Sequence, residues 1–153
     1  MSNRYHEWLN DKEVVLYSDN QYKKFTKEDQ IKYITSITNS KNTMLYGIFK
    51  ENLHIGNIQI SNIDSVNKRA EVSYLIGEKK YWGKGVASYA ISEIINIARD
   101  KLKLNRLYAG VASQNIASAK ALKKNGFSLE AIQKEHLIYN NTFCDKYTYG
   151  MIL

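Results

Sequence analysis

Two glycines one residue apart, Gly83 and Gly85, separate a β-rich run ending at Ile76 from an apolar-periodic run beginning at Val86, with Lys79, Lys80 and Lys84 around them. Glycine accepts left-handed backbone and carries no Cβ to hold a ligand away. The first turn of a helix leaves N–H groups without acceptors and bears a partial positive charge, so it attracts phosphate. The chemistry to which "KKYWGKG" points is therefore capture of a phosphorylated ligand by backbone amides. On this stretch alone, a plain turn that uses two glycines for direction stands as an equal alternative.

Competing motifs can be tested directly. No GxxxxGK[S/T] loop is present, and the GxGxxG dinucleotide fingerprint fails because Ser88 holds its sixth position. Val111-Ala112-Ser113-Gln114 ends the next strand where that fingerprint wants an acidic residue. His6, His54 and His136 are scattered, with no HExxH and no carboxylate spacing that suggests a metal, so none is expected. No GxSxG elbow occurs. Cys144 is the lone cysteine, which excludes a disulfide framework and a CxxC metal site; it is expected as a half-buried strand residue, not a nucleophile.

The elements that must position the glycine turn follow from periodicity. Residues 4–18 read as short helical turns with apolar Trp8, Leu9, Val14 and Leu16. Residues 26–38 open with Thr26 and Asp29 at capping-box spacing and continue with Ile31, Ile34 and Ile37, predicting an amphipathic helix. The runs 44–50, 54–60 and 70–76 predict an antiparallel meander. Val86, Ala90, Ile94, Ile97 and Ala98 give a helix over 84–102, followed by a strand over 106–112. Strand 70–76, that helix and strand 106–112 form one βαβ unit, whose strands should lie parallel with a right-handed crossover. A helix over 115–124 stops at Asn125-Gly126, and the remaining residues read as two long strands joined near Asn140-Asn141. The expected class is α+β, a mixed and mostly antiparallel sheet with one central parallel pair flanked by helices.

At 153 residues the chain is expected to form one domain over 1–153. No window approaches eighteen apolar residues and the first fifteen carry no secretory or transit pattern, so a cytoplasmic protein without a membrane span is expected. The formal net charge is +7, but arginine occurs only at positions 4, 69, 99 and 106. Folded nucleic-acid readers lean on arginine's planar fork, so the lysine excess argues against nucleic acid and suits a polyanionic small molecule equally well.

The glycine turn also resembles a known signature. Lys80-Tyr81-Trp82-Gly83-Lys84-Gly85 is similar to the coenzyme A motif [Q/R]-x-x-G-x-[G/A] of the GNAT N-acetyltransferases, with Lys80 replacing Gln or Arg. A second signature of that family looks present as Asn115-Ile116-Ala117-Ser118 opening a helix and Asn125-Gly126-Phe127 closing it. The phrases "WLND", "HIGNI", "YWGKGVAS" and "NGF" look most like the branch containing the ribosomal-protein N-acetyltransferases, and the resemblance runs the length of the chain in order. In one respect it departs: family members usually begin with a strand before the first helix, and this chain starts at about that helix. The resemblance therefore leaves two expectations for that edge strand, absent or supplied otherwise, a homodimer contact at the edge being one form of the second.

The resemblance implies transfer of an acetyl group from acetyl-CoA, as co-substrate, to a primary amine by direct transfer in a ternary complex. A protein N-terminus and a small-molecule amine, such as the amino group of a nucleotide-linked sugar, are both compatible acceptors. A non-catalytic acyl-CoA-binding sensor is the alternative. The resemblance places pantetheine between the splayed parallel strands, against the backbone of Leu75, Ile76 and Gly77. It places the pyrophosphate on the N–H groups of Gly83, Lys84, Gly85, Val86 and Ala87, with charge from Lys79, Lys80 or Lys84. Asn115 is expected to bond the pantetheine arm. Glu71 is the candidate base, the alternative being a solvent-facing glutamate beside Arg69. The tyrosine that often protonates the leaving thiolate is replaced by Leu122; Ser118 is the substitute this branch suggests, its alternative being a helix cap or cofactor contact. Tyr74, Tyr139 and Tyr149 are further candidates.

Overall fold

A computed structural model describes residues 4–139 and 141–153. Its first layer is helical. α1 (Arg4–Leu9) is followed by turns and a 3-10 turn over Asp19–Tyr22, then α2 (Lys27–Thr38). The expected capping box is present on α2: the Thr26 hydroxyl accepts the Asp29 N–H and the Asp29 carboxylate accepts the Thr26 N–H. The buried side of α2 differs from expectation. Ile31 is exposed, Ile34 and Ile37 are half-buried, and the residue taken inside is Gln30, whose Oε1 accepts the His6 N–H at 2.7 Å. A hydrogen bond to α1 thus sets the rotation of this helix.

Six strands follow: β1 (Met44–Lys50), β2 (Leu53–Asp64), β3 (Arg69–Ile76), β4 (Arg106–Ala112), β5 (Ser128–Tyr139) and β6 (Thr142–Ile152). They make one sheet in the order β1-β2-β3-β4-β6-β5, in which only β3 and β4 are parallel. Glu51 and Asn52 both adopt positive φ between β1 and β2, the backbone of a tight hairpin whose twist matches its strands. Between β2 and β3 the Asp64 carboxylate accepts the N–H groups of Val66 and Asn67, closing the turn with a side chain. In the last hairpin Asn141 is left-handed as its type favours; Asn140 lies outside the described residues.

Two helices pack behind the sheet. α3 (Val86–Asn96) begins after Gly85, at the first residue of its apolar period and two residues later than the expected bound at 84, and runs into a π turn over Ile97–Lys101. The widened bond from Leu102 N–H to the Ile97 carbonyl ends it. α4 (Ile116–Lys124) closes at Asn125-Gly126, with Gly126 at positive φ. Ala90, Ile91 and Ile94 of α3 and Ala98 of the π turn pack against Ile58, Ile60, Ala70, Val72, Leu107 and Ala109 of the sheet, the main core. Along β3 the side chains alternate. Ala70, Val72 and Tyr74 face α3, while Leu75 faces the N-terminal layer and packs with Tyr5, Trp8, Leu9 and Val15. Cys144 is buried beside Ala112 and Tyr139. No helix among the described residues is long and apolar enough to cross a membrane.

The N-terminal layer is anchored at the end of β3. Trp8 lies flat on Gly77, where an added Cβ would fall 1.8 Å from the indole. Its Nε1–H points to Glu78 Oε1, which also accepts from Arg4 at 2.6 Å. Lys79 then pairs with Asp11 at 2.9 Å and Glu13 at 2.6 Å. Because the indole is buried on every side, Gly77→Ala should cost about 3 kcal/mol through overpacking. Urea denaturation checks this: a midpoint equal to that of the unaltered chain would mean that α1 does not press on Gly77.

Candidate functional site

The ladder between β3 and β4 has three pairs: Arg69 with Arg106, Ala70 with Leu107, and Glu71 with Tyr108. Beyond Glu71 the two strands separate, although β3 runs on to Ile76 and β4 to Ala112. Each stays with its outer neighbour instead, β3 with β2 and β4 with β6. The wedge between them is a cleft of about 310 Å³, walled by Val72–Tyr74 and Ala109–Ala112 and closed on one face by Asn115, Ser118 and Leu122 of α4.

The glycine turn adjoins the open end of this wedge. Gly83 and Gly85 both sit at positive φ, 72° and 79°, and a Cβ at either would meet nothing within 4 Å. Glycine is thus required by backbone conformation and leaves open space in front of the turn. Gly85 is the N-cap of α3 and no side chain caps that helix. Its first intrahelical bond runs from Tyr89 N–H to the Gly85 carbonyl at 3.0 Å, so the N–H groups of Val86, Ala87 and Ser88 have no acceptor within the helix. The Trp82 indole N–H donates to the Ile76 carbonyl at 2.7 Å, fastening the turn to the end of β3. Such an array of amides at an uncapped helix start fits a diphosphate.

The three lysines divide. Lys79 is committed to Asp11 and Glu13, and its ammonium holds the Asp11 carboxyl below the usual carboxylate range. Lys80 and Lys84 remain at the turn, their Nζ atoms 5.2 and 5.9 Å from the centre of the Tyr81 ring. Lys79 therefore docks the N-terminal layer, while Lys80 and Lys84 stay beside the open amides.

The strand residues expected to meet a pantetheine arm are partly engaged already. The Ile76 carbonyl takes the Trp82 indole, and the Gly77 N–H donates to the Ile55 carbonyl at 3.0 Å. Leu75 pairs with Asn57 of β2 and sends its side chain into the N-terminal cluster. Asn115 caps α4, its Oδ1 accepting the Ser118 N–H at 3.1 Å. That bond uses the amide's acceptor and leaves its NH₂ end as the group able to donate to a ligand.

Glu71 lies at the apex of the wedge, where the strands begin to part. Its Oε2 accepts from Asn62 at 2.9 Å; Arg69, the neighbour considered for it, pairs with Asp64 at 3.5 Å instead. Ser118 faces the cleft from the first turn of α4. Tyr74 reaches the same region from β3, and its hydroxyl is buried without a hydrogen-bond partner. Trp8 is buried in the N-terminal cluster and does not line the cleft.

Of the other residues of the cleft, Tyr139 was among the candidate donors, whereas Tyr17, Ser18, Asp19 and Lys146 carried no signal in the sequence. Tyr17, Ser18, Asp19, Tyr139 and Lys146 come together in its lining from the N-terminal turns and the last hairpin. The Tyr139 hydroxyl donates to the Tyr17 carbonyl at 3.2 Å, and the two rings meet edge to face at 5.7 Å. Burial, helped by the Asp19 charge, pushes the Tyr139 phenol up to about 12. The Lys146 stem lies over Gly110, where a Cβ would come 2.6 Å from its Cε. Among the described residues no group of three His, Cys, Asp or Glu side chains could hold a metal ion.

Comparison with known proteins bears on this geometry. The acetyltransferase (GNAT) domain profile matches residues 2–128. The ribosomal-protein-serine acetyltransferase of Escherichia coli is 30% identical over 109 residues, 71% of this chain and 60% of that protein. The chain spans less than two thirds of the curated relatives it matches, between 54% and 60% of their lengths. Among solved structures, RimL, a ribosomal L7/L12 α-N-protein acetyltransferase in complex with coenzyme A, superposes with a TM-score of 0.87 at 21% identity, over 97% of this chain and 86% of that one. Spermidine N-acetyltransferase from Vibrio cholerae, in complex with coenzyme A and spermine, also gives 0.87, at 18% identity over 96% and 86%. These two likenesses are of fold.

The open space at Gly85 makes a specific expectation. Gly85→Ala meets no atom and bears only the cost of a left-handed Cβ, about 1–2 kcal/mol. Its thermal unfolding should fall by a few degrees with the fold intact; collapse of the fold would show that Gly85 is packed.

Proposed function

The chain belongs to the GNAT acetyltransferase family, and from that premise we propose that it moves an acetyl group from acetyl-CoA to a primary amine by direct transfer in a ternary complex. The observation that carries this reading is the adjacency of two features: an uncapped helix start with free amides, and a parallel strand pair that opens immediately beside it. The first suits the diphosphate of coenzyme A. The second gives an extended arm a slot with strand edges on both sides, leading toward Glu71. Bound there, acetyl-CoA supplies the activated acyl group.

What remains is work for the chain's own residues. The amides of Gly83, Gly85, Val86 and Ala87, with the side chains of Lys80 and Lys84, bind the diphosphate, while the Lys84 N–H is kept by the Tyr81 carbonyl. Leu75, Ile76 and the NH₂ of Asn115 orient the arm. A strand N–H near Tyr74 or Leu75 is suited to receive the carbonyl oxygen as it gains charge. Glu71, at the apex of the cleft, takes a proton from the incoming ammonium so that a neutral amine can attack. Ser118 faces the same space from α4.

The acceptor is a primary amine, carried by a protein N-terminus or a small molecule. Two carboxylates, Glu71 and Asp19, line the cleft and suit an ammonium group. The named relatives support both kinds of acceptor, one called a ribosomal-protein-serine acetyltransferase and another a spermidine acetyltransferase. A cytoplasmic site of action goes with this reading. One observation favours a second reading, an acyl-CoA sensor without turnover: apolar Leu122 occupies the position of the family's frequent acid.

Release of free thiol from acetyl-CoA, followed with a panel of amines and N-terminal peptides, tests the proposal. Turnover on at least one acceptor is expected; tight binding of acetyl-CoA with none would favour the sensor. Gly85→Glu should weaken acetyl-CoA at least tenfold more than Gly85→Ala does, because a carboxylate enters the open space before the amides. Equal affinities would remove the turn from the binding site. Glu71→Gln should lower turnover about 10²-fold, most steeply below the pKa of the amine. A pH–rate profile identical to that of the unaltered enzyme would return Glu71 to a surface role.

A further inference from the structure

Leu122 is fully buried and apolar, so α4 offers the leaving sulfur no proton donor at that point. The opposite wall of the cleft does. Tyr74 projects from β3 to the α3 and α4 side of the sheet, packs on the same core as Leu122, and lines the cleft with Leu122 and Ser118. Its hydroxyl is shut off from solvent and has no hydrogen-bond partner. A buried polar group left unmade costs about 1–3 kcal/mol. The fold keeps this one in the wall of the cleft, where a ligand atom can complete it.

We propose that Tyr74 is a catalytic residue of acetyl transfer, its hydroxyl donating a hydrogen bond to the thioester sulfur from β3 in place of the donor that α4 lacks at Leu122. This rests on the acetyltransferase reading above. In the step it serves, the amine nitrogen forms a bond to the carbonyl carbon and the carbon–sulfur bond breaks, its electron pair going to sulfur. The nitrogen's surplus proton leaves through Glu71 to solvent. Tyr74 holds the thiolate by its O–H, and the proton that ends on sulfur comes from water.

The phenol acts as a donor that stays protonated. Burial raises its pKa from 10.0, an effect the nearby Ser118 hydroxyl only partly offsets although the two form no regular hydrogen bond. A thiol near 8.5 gives up its proton more readily, so a hydrogen bond to thiolate is the stable arrangement across neutral pH. Tyr149 and Tyr139 do not share this role: Tyr149 lies outside the cleft lining, and Tyr139 already donates to Tyr17.

The test follows the thiol of bound coenzyme A by its thiolate absorbance during a pH titration, alongside turnover. In the unaltered enzyme the bound thiol should titrate about one unit below the free thiol. In Tyr74→Phe, which keeps the ring, it should return toward the free value, kcat should fall ten- to a hundredfold, and the Kd of acetyl-CoA should stay within twofold. A bound thiol that titrates like the free one in the unaltered enzyme overturns the proposal without recourse to any variant. So does a Tyr74→Phe enzyme with unchanged thiol titration and kcat. Failure of the unaltered enzyme to bind coenzyme A at all is a different result, and it overturns the acetyltransferase reading on which the proposal stands.

Discussion

Everything at the site depends on β3 and β4 parting after three pairs. Each strand has a stronger claim elsewhere. β3 is held by β2 from Gly56 to Ser61, and β4 by β6 over the whole of Arg106–Ala112. The two outer halves of the sheet are thus each continuous, and the discontinuity falls on the parallel pair at the centre. Backbone polar groups on the facing edges lose the partners a closed sheet would give them, a cost of the kind proteins seldom carry without use. The α4 helix plugs one face of the gap with Leu122 and Ser118, while the other face opens toward Tyr17 and Asp19.

The residues after β3 divide their work by position. Gly77, Glu78 and Lys79 look inward: the glycine receives Trp8, the glutamate takes Arg4 and the Trp8 indole, and the lysine pairs with Asp11 and Glu13. From Lys80 to Ser88 the chain turns outward, with two left-handed glycines and a helix start whose amides are uncapped. Twelve residues therefore join a structural clamp to the open glycine turn. The clamp holds the N-terminal layer against one side of the sheet, and the turn is braced to β3 through the Trp82 indole. The positive charge is divided in the same way. The net +7 does not act as a uniform field, since Lys79, Arg4, Arg69, Arg106 and Lys134 are each paired with carboxylates.

Much of the fold was legible because its signals are local. The capping box at Thr26 and Asp29, the period-two runs of the meander, the helical period after Gly85 and the stop at Asn125-Gly126 each depend on residues within one turn or strand of one another. The misreadings share a cause as well. Ile31 looked like part of an inward face, but the bond between Gln30 and the His6 backbone rotated the helix about its axis. Glu71 had a solvent-facing place beside Arg69 as its alternative reading, yet the end of β2 brings Asp64 to Arg69 and Asn62 to Glu71. In both cases a contact between elements decided among options that local pattern left equal.

The sequence by itself determined the order and type of the elements and the character of the glycine turn, because left-handed backbone, helix starts and alternating burial are properties of neighbouring residues. Tertiary structure alone decided where the parallel ladder stops, which lysine is spent on the N-terminal layer, and which side chains meet in the cleft. Tyr17 and Asp19 are more than a hundred residues from Tyr139 and Lys146 and follow no spacing rule with them, and the buried Tyr74 hydroxyl is ordinary until it shares a cleft with Ser118 and Leu122 of α4. Those facts are set by long-range packing, whose consequences for one atom appear only once the sheet and its helices share the same space.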